Sequence, residues 1–322
     1  MDKSRQRMEA LTSSFLGYCI GDALGLPFEF KQRGQFGPVQ KMEGFGTHNQ
    51  PPGTWSDDTS MTMCTAECLC DGYHADIITQ SFLDWFYEGK WTHNKKRPFF
   101  ISHTTYKVLS KLKYDQTLLD AGEMHPFSNG NASLMRILPV AFFVDSFPLE
   151  ERLRMVGEVS AITHAHPRSI IACSIYSELV KALWEGSTMT EALATMRGHI
   201  LDYYEHTDYK AELPYFERIL HTDLSSCTQK EIKSSAYVVD TLEACFWCLL
   251  TTGSFREALI AAVELGEDTD TIAALTGGLA GILYGGSQIP EDWLSTIPRK
   301  DEILEVAAAL YHRCEQNKYQ LI

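Results

Sequence analysis

Gly266-Glu267-Asp268-Thr269-Asp270-Thr271-Ile272-Ala273-Ala274-Leu275-Thr276-Gly277-Gly278-Leu279-Ala280-Gly281 opens with acids and continues as an apolar run rich in small residues. The spacing predicts a helix over 268–283 with carboxylates and hydroxyls in its first turn, where the helix dipole favours negative charge. Glycine inside a helix costs up to ~1 kcal/mol relative to alanine, so Gly277, Gly278 and Gly281 need a reason. Close backbone approach by a neighbouring helix supplies one. The stretch therefore reads as a buried central helix carrying acids at its tip.

A second cluster, Trp55-Ser56-Asp57-Asp58-Thr59, has the same design at the start of a helix predicted over 57–70, with Ser56 placed as N-cap. Either cluster alone is explained by the helix dipole. Together they offer paired carboxylates and hydroxyls but no His or Cys, a donor set that suits Mg²⁺ or Mn²⁺ rather than zinc or copper. If the two helix starts meet, the chain builds a divalent-metal site with room for up to two ions. Neither cluster has the glycine and closing Glu of an EF-hand loop. The paired-Asp pattern of all-α prenyl-transferring enzymes is also missing from Asp57-Asp58-Thr59-Ser60-Met61.

Outward from these clusters, helical periodicity dominates, over 8–24, 75–87, 104–112, 149–162, 167–184, 189–204, 236–250, 255–265 and 301–314. Residues 134–144 are apolar and 124–132 are turn-rich. Residues 31–55 hold five Gly and three Pro and read as a long loop, while 206–233 read as a polar surface excursion. Alternating strand patterns are nearly absent, and no repeat or linker is evident. The expected fold is all-α, a compact orthogonal multi-helix bundle forming one domain over 1–322 around a central cleft.

A formal net charge of −14 argues against a nucleic-acid partner, which needs a basic surface. The basic run 90–97 reads as a solvated loop. Polar residues follow Met1, so no signal-peptide core is read there, and 272–286 is too short and too glycine-broken for a membrane span. Nine cysteines lack extracellular spacing. Cys245-Phe246-Trp247-Cys248 lies in an apolar segment and Cys64, Cys68 and Cys70 in a helical one, so both groups read as core. A reducing, cytoplasmic setting without membrane partners is the expectation.

Three further segments carry chemistry only in combination. Gly21-Asp22-Ala23-Leu24-Gly25-Leu26-Pro27-Phe28-Glu29 delivers Glu29 just past a helix end, where an isolated Glu would be a solvated loop carboxylate. Ser128-Asn129-Gly130-Asn131-Ala132-Ser133 is a turn whose backbone N–H groups suit an anion or a diphosphate. Thr163-His164-Ala165-His166-Pro167 sets two imidazoles at a helix boundary, ordinarily a structural position.

Taken in order, these pieces resemble the ADP-ribosylglycohydrolase family: Gly21 to Gly25 with Glu29, Trp55 to Thr59, Gly130-Asn131-Ala132-Ser133-Leu134-Met135-Arg136, Thr163-His164 with Pro167, and Glu267 to Ala273 continuing to Gly285. No single piece is specific, but the ordered set is. The resemblance implies two Mg²⁺ or Mn²⁺ ions in a central cleft, held by Ser56, Asp57, Asp58, Asp268, Asp270 and Thr271, with Glu29 at the metals to position or deprotonate water. It implies catalytic roles for Glu29, Asp57, Asp58 and Asp268. It places Gly130, Asn131, Ala132 and Ser133 at the distal ribose and phosphates, and His164 in the ADP-ribose pocket.

The implied reaction is hydrolysis of the bond between C1″ of ADP-ribose and an acceptor, releasing ADP-ribose. A modified protein arginine is the first expectation and a small-molecule acceptor the second. Two departures stand out. The slot where relatives often carry an Asp-x-Gly-x-x-Thr segment reads Phe100-Ile101-Ser102-His103-Thr104-Thr105, without the acid, and Ala132 replaces the more usual glycine. A non-catalytic ADP-ribose-binding or structural protein therefore stays open, as does a hydrolase of free N-glycosides.

Overall fold

Antiparallel pairing of the first long helix with the glycine-rich one organises the molecule. The structure is a computed structural model that describes residues 3–114 and 121–320. Among these residues the chain forms α1 (Lys3–Gly25), α2 (Asp57–Asp71), α3 (Ala75–Glu88), α4 (His103–Leu112), α5 (Leu138–Phe143), α6 (Leu149–Ala161) and α7 (Pro167–Trp184). It continues with α8 (Met189–Tyr204), α9 (Glu217–His221), α10 (Val238–Thr251), α11 (Phe255–Glu264), α12 (Thr269–Tyr284), α13 (Glu291–Leu294) and α14 (Lys300–Gln320). Extended structure among the described residues is limited to isolated bridges, so the all-α expectation holds. No helix of the described residues is long and apolar enough to cross a membrane.

The glycines of α12 answer to glycines of α1. Gly17, Gly21 and Gly25 face Gly277, Ala273 and Thr269, and Gly281 faces Ser13, so the two backbones touch along their length. A Cβ at Gly281 would lie 2.2 Å from the Ser13 carbonyl oxygen. Thr269 Oγ1 closes the seam by donating to the Gly25 carbonyl at 2.8 Å. The seam sets the end of α1 against the start of α12. Around it packs an apolar core that includes Trp55, Trp85, Phe142, Phe246 and Trp293.

Some element bounds differ from the pattern. α1 already runs from Lys3 rather than 8, and its start is held by polar contacts, beginning with Ser4 Oγ on Tyr311 OH at 2.7 Å. Arg7 stacks over Trp184 at 3.6 Å and pairs with Asp145 at 2.6 Å. α14 runs to Gln320 rather than 314, and α5 is confined to Leu138–Phe143, with Pro139 in its first turn. The 206–233 segment is more than a surface excursion: it folds into short turns, and Phe216, Ile219, Leu220, Leu224 and Ile232 are buried in the core. Cys245, Cys248 and Cys64 are buried as expected, but Cys68 and Cys70 are only half-buried, because that face of α2 reaches the surface.

Candidate metal centre

α2 is plugged into α1 by a carboxylate. Asp22, fully buried in α1, accepts the backbone N–H groups of Ser56 and Thr59, each at 2.9 Å. These are donors that the first turn of a helix leaves without an internal partner. Ser56 is the N-cap as expected: its Oγ accepts from the Asp58 backbone N–H at 3.1 Å and donates to Asp58 Oδ2 at 2.9 Å. Across the cleft, Thr271 Oγ1 donates to the same Oδ2 at 3.4 Å. The two acidic clusters therefore meet.

Glu29 arrives by a second stitch. Phe30 N–H donates to the Glu267 carbonyl at 2.7 Å, and Glu267 N–H donates to the Lys31 carbonyl at 2.8 Å. Phe30 and Glu267 take positive φ angles of 66° and 62°, beside Gly266 at 76°. Such backbone is uncommon outside glycine and is held here by the paired loops. The result is that carboxylate oxygens of Glu29, Asp268 and Asp270 lie within 4.8 Å of one another and could hold a metal ion. Asp57 and Asp58 adjoin this trio without belonging to it.

The charge in this cleft is one-sided. Asp22, Glu29, Asp57, Asp58, Asp268 and Asp270 are all buried. Among the described residues their one basic partner is the half-buried His48, whose Nε2 meets Glu29 Oε2. Burial, then repulsion by neighbouring carboxylates, pushes the protonation of Asp57, Asp58 and Asp270 well above the usual carboxylate range. Burial and Glu29 raise Asp268 to about 7, and burial raises Asp22 to about 6. Asp58 Oδ1 is buried without a hydrogen-bond partner among the described residues. A divalent cation would relieve the repulsion and satisfy that orphaned oxygen, and the donor set is all oxygen, so the residues fit a hard metal ion.

The turn expected at the phosphates sits against this centre. Asn131 Nδ2 donates to Asp268 Oδ2 and, at 2.9 Å, to Thr241 Oγ1. The backbone N–H groups are not all free for a ligand: Ser128 donates to His125 O at 2.7 Å and Asn131 to Ala236 O at 3.0 Å. Ala132 is buried, and Ser133 Oγ is turned into the core, hydrogen-bonded to Ser160 Oγ at 2.9 Å. His164 is 1 % exposed, with Nδ1 on Thr163 Oγ1 at 2.7 Å, and burial followed by the nearby Arg136 lowers it to about 3, so its ring is neutral. Next to Gly130 an open groove is lined by Phe127, Tyr215 and Tyr237. The Arg168 guanidinium lies 3.3 Å over the Tyr215 ring and donates to Tyr237 OH at 3.1 Å.

Residue patterns alone missed Asp22 and His48 as parts of this centre. The signal for Asp22 was its place in the glycine seam; His48 sat inside a loop without periodicity. The Phe100 slot does reach the centre. A cavity of about 130 Å³ lies between Ser56 and Asp57 on one side and His93, Phe99 and Phe100 on the other. Phe100 packs against His48 and Phe30 with ring centroids 5.6 and 5.7 Å apart.

The ADP-ribosylglycohydrolase family matches residues 3–320. An ADP-ribosylarginine hydrolase, Tri1, of Serratia proteamaculans is 31% identical over 98% of this chain and 82% of its own. The ADP-ribosyl-[dinitrogen reductase] glycohydrolase of Rhodospirillum rubrum is 31% identical over 90% of both chains. A solved structure described as an ADP-ribosylglycohydrolase-related protein complex superposes with a TM-score of 0.81 at 28% identity, covering 96% of this chain and 99% of that one. A family match over residues 3–320, with likeness to these relatives over nearly the whole length, makes this chain a member of the ADP-ribosylglycohydrolase family.

Proposed function

We propose that this protein hydrolyses the N-glycosidic bond between ADP-ribose and an arginine of a modified protein, as a single domain in the cytoplasm. The observation that carries the reading is the buried assembly of Glu29, Asp268 and Asp270 beside Asp57 and Asp58, which among the described residues meets no Lys or Arg and touches one imidazole, that of His48. The arginine linkage is supported by similarity to relatives named for it.

Ser56, Asp57, Asp58, Asp268, Asp270 and Thr271, with Glu29, are proposed to hold two divalent cations, Mg²⁺ or Mn²⁺. Bound there, such ions would supply Lewis-acid chemistry, polarising ribose oxygens and making water easier to deprotonate. Glu29, oriented by His48, is placed to take a proton from the attacking water. The water oxygen bonds to C1″, the C1″–N bond breaks, and the proton ends on the departing guanidine nitrogen. Asn131 holds Asp268 in place. The groove at Phe127, Tyr215 and Tyr237 offers ring faces suited to a purine, and Gly130 stands between groove and centre.

The Phe100 slot favours a second reading, in which the same pocket binds ADP-ribose without cleaving it. An assay with arginine-, serine- and other-linked ADP-ribosyl substrates, in Mg²⁺, Mn²⁺ or chelator, separates the two. Metal-dependent release from arginine supports the proposal. ADP-ribose binding without release from any linkage overturns it in favour of the binding protein. Release from free conjugates alone points to a small-molecule acceptor.

A further inference from the structure

Arg136 is fully buried, and no carboxylate among the described residues pairs with it. Its guanidinium lies 4.5 Å over the Phe82 ring. Among the described residues only Nη2 finds partners, the carbonyls of Val159 and Ser160 at 3.1 and 3.5 Å and Thr163 Oγ1 at 2.8 Å, while Nε and Nη1 have none. Burying an arginine this way is costly, and a leucine or methionine would fill the space more cheaply.

The proton bookkeeping of the next two residues supplies a reason. A guanidinium can only donate, so Thr163 Oγ1 accepts from Nη2. Thr163 is fully buried, and the other atom at its hydroxyl among the described residues is His164 Nδ1, 2.7 Å away. Were Nδ1 to carry a proton and donate, the threonine hydrogen would be left buried without an acceptor, which folded proteins avoid. The arrangement that satisfies every hydrogen runs one way, Arg136 Nη2–H to Thr163 Oγ1, then Thr163 O–H to His164 Nδ1. The single proton of the neutral imidazole is then on Nε2. We infer that Arg136, acting through Thr163, is a positioning residue that locks His164 as an Nε2–H donor, fit for an oxygen acceptor on the ligand and barred from serving as a base.

The lock sits where it can matter. Ser160, which holds the His164 carbonyl at 3.0 Å, also bonds Ser133 of the turn that carries Asn131 and so reaches Asp268. That the acceptor belongs to ADP-ribose rests on the function proposed above; the direction of the relay does not.

The test uses the full-length protein labelled with ¹⁵N-histidine, with His164 assigned by the loss of its signals in His164→Gln. Long-range ¹H–¹⁵N correlations at neutral pH should show a neutral ring protonated at Nε2. Thr163→Val, which keeps the shape and removes the hydroxyl, should release that tautomer and weaken ADP-ribose binding about tenfold, the size of one lost hydrogen bond. Thr163→Ser should restore both. A wild-type ring protonated at Nδ1, or a tautomer unmoved in Thr163→Val, overturns the relay. A tautomer that moves while ADP-ribose affinity stays at the wild-type value refutes the ligand role of His164 and leaves the hydrolase assay to judge the function.

Discussion

Gly21 of α1 and Ala273 of α12 meet backbone to backbone, and a Cβ at Gly21 would lie 2.0 Å from the Ala273 carbonyl oxygen. Neither partner can rotate away, because both atoms belong to helix backbones. Gly21→Ala should therefore force the helices apart and cost about 3 kcal/mol or more, beyond the usual range for overpacking. Urea unfolding measures this directly. A loss under about 1 kcal/mol would mean that the seam yields more easily than its geometry implies.

Asp268 is buried among like charges and held by Asn131. Asp268→Asn keeps the shape, so turnover should fall by about 10³-fold or more while the fold survives, because a carboxylate is lost from the metal set. Without metal the same variant should unfold at an equal or higher temperature than wild type, since one source of repulsion is gone. Wild-type turnover would remove Asp268 from the machinery. A metal-free variant that melts well below wild type would show that repulsion is not what dominates there.

Protons and metal compete for the centre. In the metal-free protein Asp268 is raised to about 7 and Asp22 to about 6, above their unfolded values. A carboxylate raised by folding costs stability above its folded pKa, and that cost fades as pH falls through it and the group is protonated. A cation has to displace those protons, so Mg²⁺ or Mn²⁺ affinity should drop as pH falls from about 7 to about 6. Calorimetry in buffers of different ionisation enthalpy should detect proton release on binding. Binding with no proton release across this window would contradict the electrostatics described for the cleft.

His48 touches the centre only through Glu29. His48→Ala should lower metal affinity or activity by 10- to 100-fold, the range usual for groups that orient a ligand. The side chain is 12 % exposed and packs on Phe30 and Phe100, so the melting temperature should also fall modestly. Unchanged activity and metal affinity would mean that Glu29 holds its position through its backbone stitch alone.

Much of this was legible because it was local. Ser56 as N-cap, the acids at the start of α12 and the demand of Gly277 and Gly281 for a close neighbour follow from helix chemistry over a few residues. Which helix would answer that demand was not legible, since Gly17, Gly21 and Gly25 form an ordinary small-residue pattern until they are set against α12. Asp22 escaped notice for the same reason: its partners, the N–H groups of Ser56 and Thr59, lie on another element. His164, expected in a pocket, is 1 % exposed, held by Ser160 and by Thr163, which Arg136 holds in turn from farther along the chain.

The order in which the parts are made gives the α1–α12 seam a last consequence. Synthesis runs from the N-terminus, so α1 is finished long before α12, and until then its glycine stripe has nothing to rest against. Neither the seam nor the acidic cleft can close until residue 281 has left the ribosome. A nascent chain stalled earlier would expose a narrow groove of bare backbone to chaperones, and the centre would gain its cation late, as one of the closing events of folding.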